Sequence, residues 1–505
     1  MNIPDLSNLQ ALAMGGEMPP DLQKTLTSGT GFVGINLEAG AALLLPFFAG
    51  LRNRLAVDKP TVGATQAQWR MQIGFGAYNF ATNQGSAEAG VGGNTTPAAT
   101  TIAADYKYQP VKGDPTYQAV VQSQGYDDAL AIETSIALGT LIKHDELNVL
   151  GGNEAALAAP VPTGTASTLY TTVTFAQGTW HFKVTALTTQ GTLANATSNS
   201  NVGESLPSAS IAVVVGANGA TFLDISWPAI PGASGYKIYA EVTAGGGAWY
   251  LVPVTALNYK TGNLIALGTA ISVPTGQTYV TVNHVQLTAV GVNTNPVPPS
   301  SDGSANALIY EGMIPWCEKT TIYGQSLGTR TKVDCDGAYL TSVGTGIYEI
   351  DQILQSLWKT WHTSPSLMIA SPATVNHIGN ILAQQNSGSM WHFNFEQKDL
   401  GAIVGGLYIG GYTNKFAASM AGQQQNIDLW AHPYMEDGKI LFLSENIPYA
   451  YSKKGKAFAL DIQSPYTYFE LGRVQVSFPF TIFNLQTLKC YHPSAQASIT
   501  GIRVV

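Results

Sequence analysis

The sequence is short of charge. Charged residues are 11% of its 505 positions, against about 25% in ordinary soluble proteins, and no lysine or arginine run exists that could neutralise a row of phosphates. With a formal net charge of only −8, tight and direct nucleic-acid binding is disfavoured, and contacts with DNA are expected to be weak and non-specific. Cysteine is scarce as well. Cys317, Cys335 and Cys490 show no CxxC spacing and are too few for a disulfide framework, so reduced structural thiols are expected. No apolar run reaches the roughly 20 residues that span a bilayer. The longest, AGAALLLPFFAGL from Ala39 to Leu51, is interrupted by Pro46. The opening MNIPDLSNLQALAMGGEMPPD has neither the basic start nor the apolar centre of a secretory leader, which leads us to expect a protein made in the cytoplasm with no membrane partner.

Motifs for chemistry are also missing. Gly29-Thr-Gly31-Phe-Val-Gly34 fits G-x-G-x-x-G but follows the polar segment LQKTLTS rather than a buried strand, and reads as a flexible arm. Asp334-Cys335-Asp336-Gly337 lacks the further acids and closing glutamate of a calcium loop and reads as a surface turn. The eight histidines form neither H-E-x-x-H nor a zinc pattern, so His181 and His377 are expected to be packing or surface residues. No G-x-S-x-G elbow occurs. The acid pairs Asp127/Asp128 and Asp145/Glu146 fall at the ends of a predicted helix, where capping and solvation account for them. No catalytic, cofactor-binding or metal-binding residue is assigned, and no cofactor is expected.

What is present is apolar surface and many turns. Hydrophobic residues are 45% of the chain, with 53 glycines and 26 prolines, which suits extensive contact with other protein. The length exceeds one ordinary core. Residues 1–58 lack the periodicity of a domain and read as an N-terminal arm. Two extended segments, QAQWRMQIG (66–74) and YKYQPV (106–111), flank a Gly/Ala/Thr-rich stretch and predict a long hairpin with little core of its own, within 59–125. Asp127 and Asp128 open an apolar run that stops at Gly151 and Gly152, predicting a helix of about 22 residues, apolar nearly all round and so buried along its length; it belongs to the segment 126–157.

From 158 to 305 the composition turns to Thr, Val, Gly and Ala with short alternating strands, predicting an inserted all-β module. Its WHFKVTAL (180–187), GESLPS (203–208), FLDISWPAIP (222–231) and GASGYKIYA (232–240) resemble fibronectin type III strands, with Trp227 in the core. Their order is the reverse of the usual one, so the module is either one permuted sandwich or remnants of two. Small and proline residues at both junctions suggest exposed linkers. After 306, Ile347, Ile350, Ile353, Leu354, Leu357, Trp358 and Trp361 predict an amphipathic helix, LMIA (367–370) a strand, and Ser371-Pro372 the capped start of a second helix carrying Val375, Ile378, Ile381 and Leu382. KILFL (439–443) and the run from Val474 to Phe483 read as strands.

This order of elements resembles the Hong Kong 97-type major capsid proteins of tailed phages: an arm, an extended hairpin, a spine helix ending in Glu146 to Gly152 before Asn153, the helix, strand and S-P-A-T helix of 347–382, and the closing YHPSAQASITG (491–501). The resemblance covers about residues 30–157 and 306–505. It implies an α+β, Hong Kong 97-like capsid fold (N-arm, E-loop, spine helix, P and A domains) with an inserted immunoglobulin-like sandwich. It implies a non-enzymatic major capsid protein that self-assembles into the hexamers and pentamers of an icosahedral virion head around phage DNA. Portal and scaffolding proteins, and a cement protein, are the partners it suggests, with assembly in the host bacterial cytoplasm. Some members link subunits covalently near the hairpin, where Lys59, Lys107 and Lys112 lie; no such crosslink is expected without a buried acid and an acceptor. The alternative from another class is a secreted fibronectin-like-module adhesin or carbohydrate-active enzyme, which calls for a leader and paired catalytic carboxylates.

Overall fold

The computed structural model describes residues 48–59, 64–74, 98–123, 128–169, 172–245, 247–260, 266–290, 294–344, 346–385, 410–417, 426–449, 454–473 and 476–504, with positions 88, 90, 292 and 452. Most of the arm, including the glycines at 29–34, lies outside them, as does the middle of the hairpin.

The sheet at the centre is set by two uninterrupted apolar runs. Strands Leu367–Ala370 and Ile440–Leu443 are buried at every position, and they pair antiparallel at the middle of a six-stranded mixed sheet. Ala497–Thr500 lies antiparallel beside Ile440–Leu443 and carries Thr331–Asp334 parallel on its outer side, while Asn426–Ala431 runs parallel to Leu367–Ala370. Alternation sends Leu367, Ile369, Leu441 and Leu443 into one core and Met368, Ala370, Ile440 and Phe442 into another. A strand buried on both faces has no polar position to spare, which is why these read as continuous rather than alternating. The second core is closed by helix Tyr348–Trp361, whose Ile350, Ile353, Leu354 and Leu357 are fully buried, and by helix Pro372–Gln385, capped by Ser371 through a bond from the Thr374 amide.

The first core gathers distant pieces: Leu51, Trp69, Ile102, Leu150, Trp316, Phe458 and Cys490 all contribute. Strand Gln66–Gly74 pairs antiparallel with Ala98–Asp105, so the hairpin's return strand lies earlier than 106–111. That later segment instead joins Lys107–Gly113, an edge of a second sheet ordered Ala56–Asp58, Phe458–Glu470, Phe480–Cys490, Lys107–Gly113. The base of the hairpin packs into a core shared with distant segments: Ala67, Trp69 and Met71 alternate inward, and Trp69 Nε1 donates to the Cys490 carbonyl at 2.9 Å. The strand expected at 474–483 begins at Phe480 and runs to Cys490.

The long helix spans Ala129–Gly151 with Asp128 as its N-cap. Its buried residues begin only at Ala137, a correction to burial along its whole length. The first turns lie over a thin limb made with Lys107–Gly113, Phe458–Glu470 and Phe480–Cys490, whose core holds Ala137, Leu141, Phe480 and Ile482. The segment 158–305 forms two antiparallel four-stranded sheets. One is ordered Trp249–Leu251, Gly235–Glu241, Gly178–Leu187, Ile211–Val215, the other Leu257–Tyr259, His284–Leu287, Leu223–Ser226, Thr163–Ala166. They enclose one shared core with Phe182, Val184, Ile238, Ile225 and Leu287, so the segment is a single sandwich rather than remnants of two. Trp227 is buried there, edge-on to Tyr236 at 5.2 Å between ring centres.

Candidate functional site

The last turns of the long helix carry the acids read from sequence as solvated. They are not. Asp145 and Glu146 are completely enclosed. Glu146 Oε1 accepts from the Leu51 amide at 2.8 Å and Oε2 from the Arg52 amide at 2.8 Å, while His432 Nε2 lies 2.9 Å from Oε1. Asp145 accepts from Asn484 Nδ2 at 2.7 Å, from Gln486 Nε2 at 3.0 Å and from the Tyr466 hydroxyl, with Arg52 Nε 3.6 Å away. Burial pushes the Asp145 carboxyl above its ordinary range, against the opposing pull of those bonds. The pair ties the segment at 48–54, the helix and the second sheet into one unit. Asp128, by contrast, is a solvent-side cap as expected.

A second polar system fastens the sandwich to the rest of the chain. Its entry and exit are bonded side by side: Asn153 Nδ2 donates to the Ser304 carbonyl at 2.8 Å and the Leu157 amide to Ser304 Oγ at 2.9 Å. Lys319 Nζ joins Asn153 Oδ1 and both oxygens of Glu311 beneath them. Asn153, Leu157 and Ser304 are buried at this joint, while Ala155, Ala156, Ala158, Ala159, Gly303 and Ala305 around them are exposed, so the junctions are surface segments pinned at a few points. Further along, Glu318 pairs with Lys439 at 2.7 Å, and each reaches into the sandwich, Glu318 to the Gly232 amide and Lys439 to the Ala233 carbonyl. Tyr279 donates to Glu436 at 3.0 Å; burial raises that carboxyl to about 7 although the Thr192 and Tyr279 hydroxyls oppose it.

The Asp334-Cys335-Asp336-Gly337 turn belongs to this seam. Asp334 accepts from Asn283 Nδ2 at 2.8 Å and from the Ala229 amide at 3.2 Å. Asp336, in the left-handed region with φ 49°, meets His284 Nδ1 at 3.0 Å and the Lys260 ammonium. His284 Nε2 lies 2.7 Å from Asp224. Burial alone would lower the His284 pKa, but its bonds to Asp224 and Asp336 outweigh burial and lift it to about 9. Nothing local in D-C-D-G marks this docking role, since the partners lie on a module more than forty residues earlier.

The remaining sequence candidates show no catalytic arrangement. His181 pairs with Glu241 at 2.9 Å across neighbouring strands, and His377 stacks on Tyr339. Lys107 is held by Glu154 and the Ala307 carbonyl within the same chain, and Lys112 pairs with Asp114. The three cysteines are free and buried. Among the described residues no cluster of metal-ligating side chains occurs, and no helix is long and apolar enough to cross a membrane. Two hollows among the described residues measure about 20 and 10 Å³, room for a water molecule rather than a substrate.

Apolar surface is instead exposed at the far end of the limb. Tyr117 is 53% accessible, Val121 43%, Phe469 57% and Val476 78%. The Tyr117 amide bonds to the Val476 carbonyl and Phe469 pairs with Thr481, so these residues share one end of the limb.

No family model and no curated protein matches the chain. Among solved structures it is similar to a chain of the cyanophage A-1(L) capsid asymmetric unit, at 10% identity over 94% of this chain and 99% of that one, with a TM-score of 0.45. It is similar also to a chain of the capsid of Myoviridae phage XM1, at 8% identity over 97% and 100%, with a TM-score of 0.34. A third is a chain of the holo-SrpI encapsulin complex from Synechococcus elongatus PCC 7942, at 8% identity over 96% of each chain, with a TM-score of 0.34.

Proposed function

We propose that the chain is the major capsid protein of a tailed bacteriophage, a structural subunit that assembles as hexamers and pentamers into an icosahedral head around DNA, with its hairpin, spine helix and α/β domain in the Hong Kong 97 arrangement. One observation carries the reading: the limb. Its core has four buried side chains among the described residues, while Tyr117, Val121, Phe469 and Val476 stand open at its end. So thin an element with an apolar end gains stability when a second molecule covers it, and identical limbs meeting identical surfaces close into symmetric assemblies. In this reading the sandwich, an immunoglobulin-like insert, stands on the outer face. There its Thr-, Asn- and Gly-rich loops meet solvent, neighbouring copies or a host surface, whereas a module with so few cationic residues gains little beside DNA.

The test uses the full chain, purified and concentrated with and without a co-expressed scaffolding protein, followed by sedimentation and electron microscopy. Capsomers or closed shells are expected, and Val121→Glu with Phe469→Glu should remain folded by circular dichroism but sediment as a monomer. A folded wild type that stays monomeric with its partners supplied, or a double variant that assembles like the wild type, overturns the reading.

A further inference from the structure

One buried cluster has no part in assembly or docking. Lys237 stands on strand Gly235–Glu241 opposite Thr185 of strand Gly178–Leu187, and the side chains of Lys237 and Glu204 are wholly enclosed. Glu204 Oε2 lies 2.7 Å from Lys237 Nζ. Its other oxygen accepts the Tyr239 and Thr185 hydroxyls, each at 2.7 Å, which fixes the carboxyl's direction. Lys237 Nζ also donates to Asn199 Oδ1 at 2.9 Å and to the Ser200 carbonyl at 2.8 Å. An amine, a carboxamide and a carboxyl group therefore meet within single hydrogen bonds. Two of them are held on the framework of the sandwich, and Asn199 is half-buried on the loop after helix Thr189–Ala194.

Burial pushes the Lys237 amine down from its ordinary pKa despite the facing carboxyl. Away from water the ammonium loses ground to the neutral amine, whose nitrogen carries the lone pair that attack requires. Such an amine is a nucleophile, and fixed proximity replaces the high reactant concentration that the reaction would need in solution.

We propose that Lys237 and Asn199 become joined by an intramolecular amide bond that the folded chain forms on itself, with Glu204 carrying the proton. Rotation of the Asn199 carboxamide presents Cγ to Lys237 Nζ, and the lone pair forms the new N–C bond. Glu204 gives its proton to the carboxamide nitrogen and takes one from the attacking nitrogen. The Cγ–Nδ2 bond then breaks and ammonia leaves through the half-exposed loop. Amine and carboxamide become secondary amide and ammonia, with no oxidant, metal or nucleotide consumed. The bond would tie the loop at 195–204 to a central strand of the sandwich.

Intact-mass measurement and peptide mapping of the purified full chain, after prolonged incubation at neutral pH, test this. The wild type should be lighter than its sequence by one ammonia and should yield a branched peptide joining Lys237 to Asn199. Asn199→Ala, which leaves both buried partners in place, and Glu204→Gln should keep their full sequence mass. Should Glu204→Gln fail to fold, Asn199→Ala still decides, checked as folded by circular dichroism. A folded wild type at full mass with no branched peptide overturns the proposal. Loss of ammonia without a branched peptide overturns it too, since it would mark ring closure of Asn199 onto its own backbone, as does loss of water with a branch at Glu204.

Discussion

Replacing Glu146 with Ala removes the acceptor for three donors at once, the amides of Leu51 and Arg52 at 2.8 Å and His432 at 2.9 Å. Leu51 and His432 cannot turn to water, because both are buried, and the Arg52 amide is partly covered. A hydrogen bond to a charged group contributes about 1.5–3 kcal/mol. Such losses do not add fully, so about 3–5 kcal/mol is expected for the three together. The effect should be local first, since helix Gly50–Arg54 has a single buried residue, Leu51. Hydrogen exchange followed by mass spectrometry on the peptide covering 48–55 reads it directly. At about 1.4 kcal/mol per tenfold, exchange of those amides should quicken roughly a hundred- to a few-thousand-fold. Glu146→Gln, which keeps one carbonyl oxygen, should fall between. If Glu146→Ala quickens exchange by less than about tenfold, the acid is not what holds the segment at 48–54 in place.

Three further outcomes are expected. Trp227→Ala should lower the sandwich's stability by about 3–5 kcal/mol in denaturant titration, because the ring is buried against Tyr236. His284, with a pKa raised from 6.5 to about 9, contributes stability that is complete below about pH 6.5 and lost as pH rises through 9, within the sandwich through Asp224 and at the seam through Asp336. Calorimetry should therefore show a seam weakened by roughly 1–2 kcal/mol in that window, discounted because Asp336 is half in solvent, and His284→Asn should abolish the dependence. Replacing 158–303 by a short Gly/Ser linker should leave a chain that still assembles but melts earlier, since Glu318, Lys439 and Asp334 lose their partners; failure of a folded deletion to assemble would make the sandwich an assembly element instead of a displayed one.

What could be read from the sequence was what is encoded locally. LMIA and ILFL announce strands buried on both faces, Ser371-Pro372 announces a helix start, and Gly151-Gly152 marks where the long helix ends. The return strand of the hairpin escaped because AATTIAAD has the composition of a spacer, and its inward Ile102 and Ala104 are legible only once Trp69 is known to face them. Asp145 and Glu146 escaped for a different reason. An acid near a helix end ordinarily faces water, and the residues that overturn this here, Asn484, Gln486 and His432, stand some three hundred positions away. The docking turn at 334–337 failed likewise, since its role depends on His284 and Asn283 in another module.

The first core has a consequence for the order in which the chain comes together. Trp69 bonds to the carbonyl of Cys490, Tyr491 to Asp58, and strand Ala56–Asp58 lies parallel to Phe458–Glu470. Contacts separated by more than four hundred residues make folding slow, because the loop between them must close before the contact stabilises anything. On a ribosome the hairpin base emerges long before residues near 490, and Trp69, Met71 and Ile102 wait uncovered while the sandwich, whose core draws on 157–290, can close by itself. The nascent chain thus passes through a stage with one finished module and one open apolar seam, and that interval is where chaperone binding or aggregation would act on it.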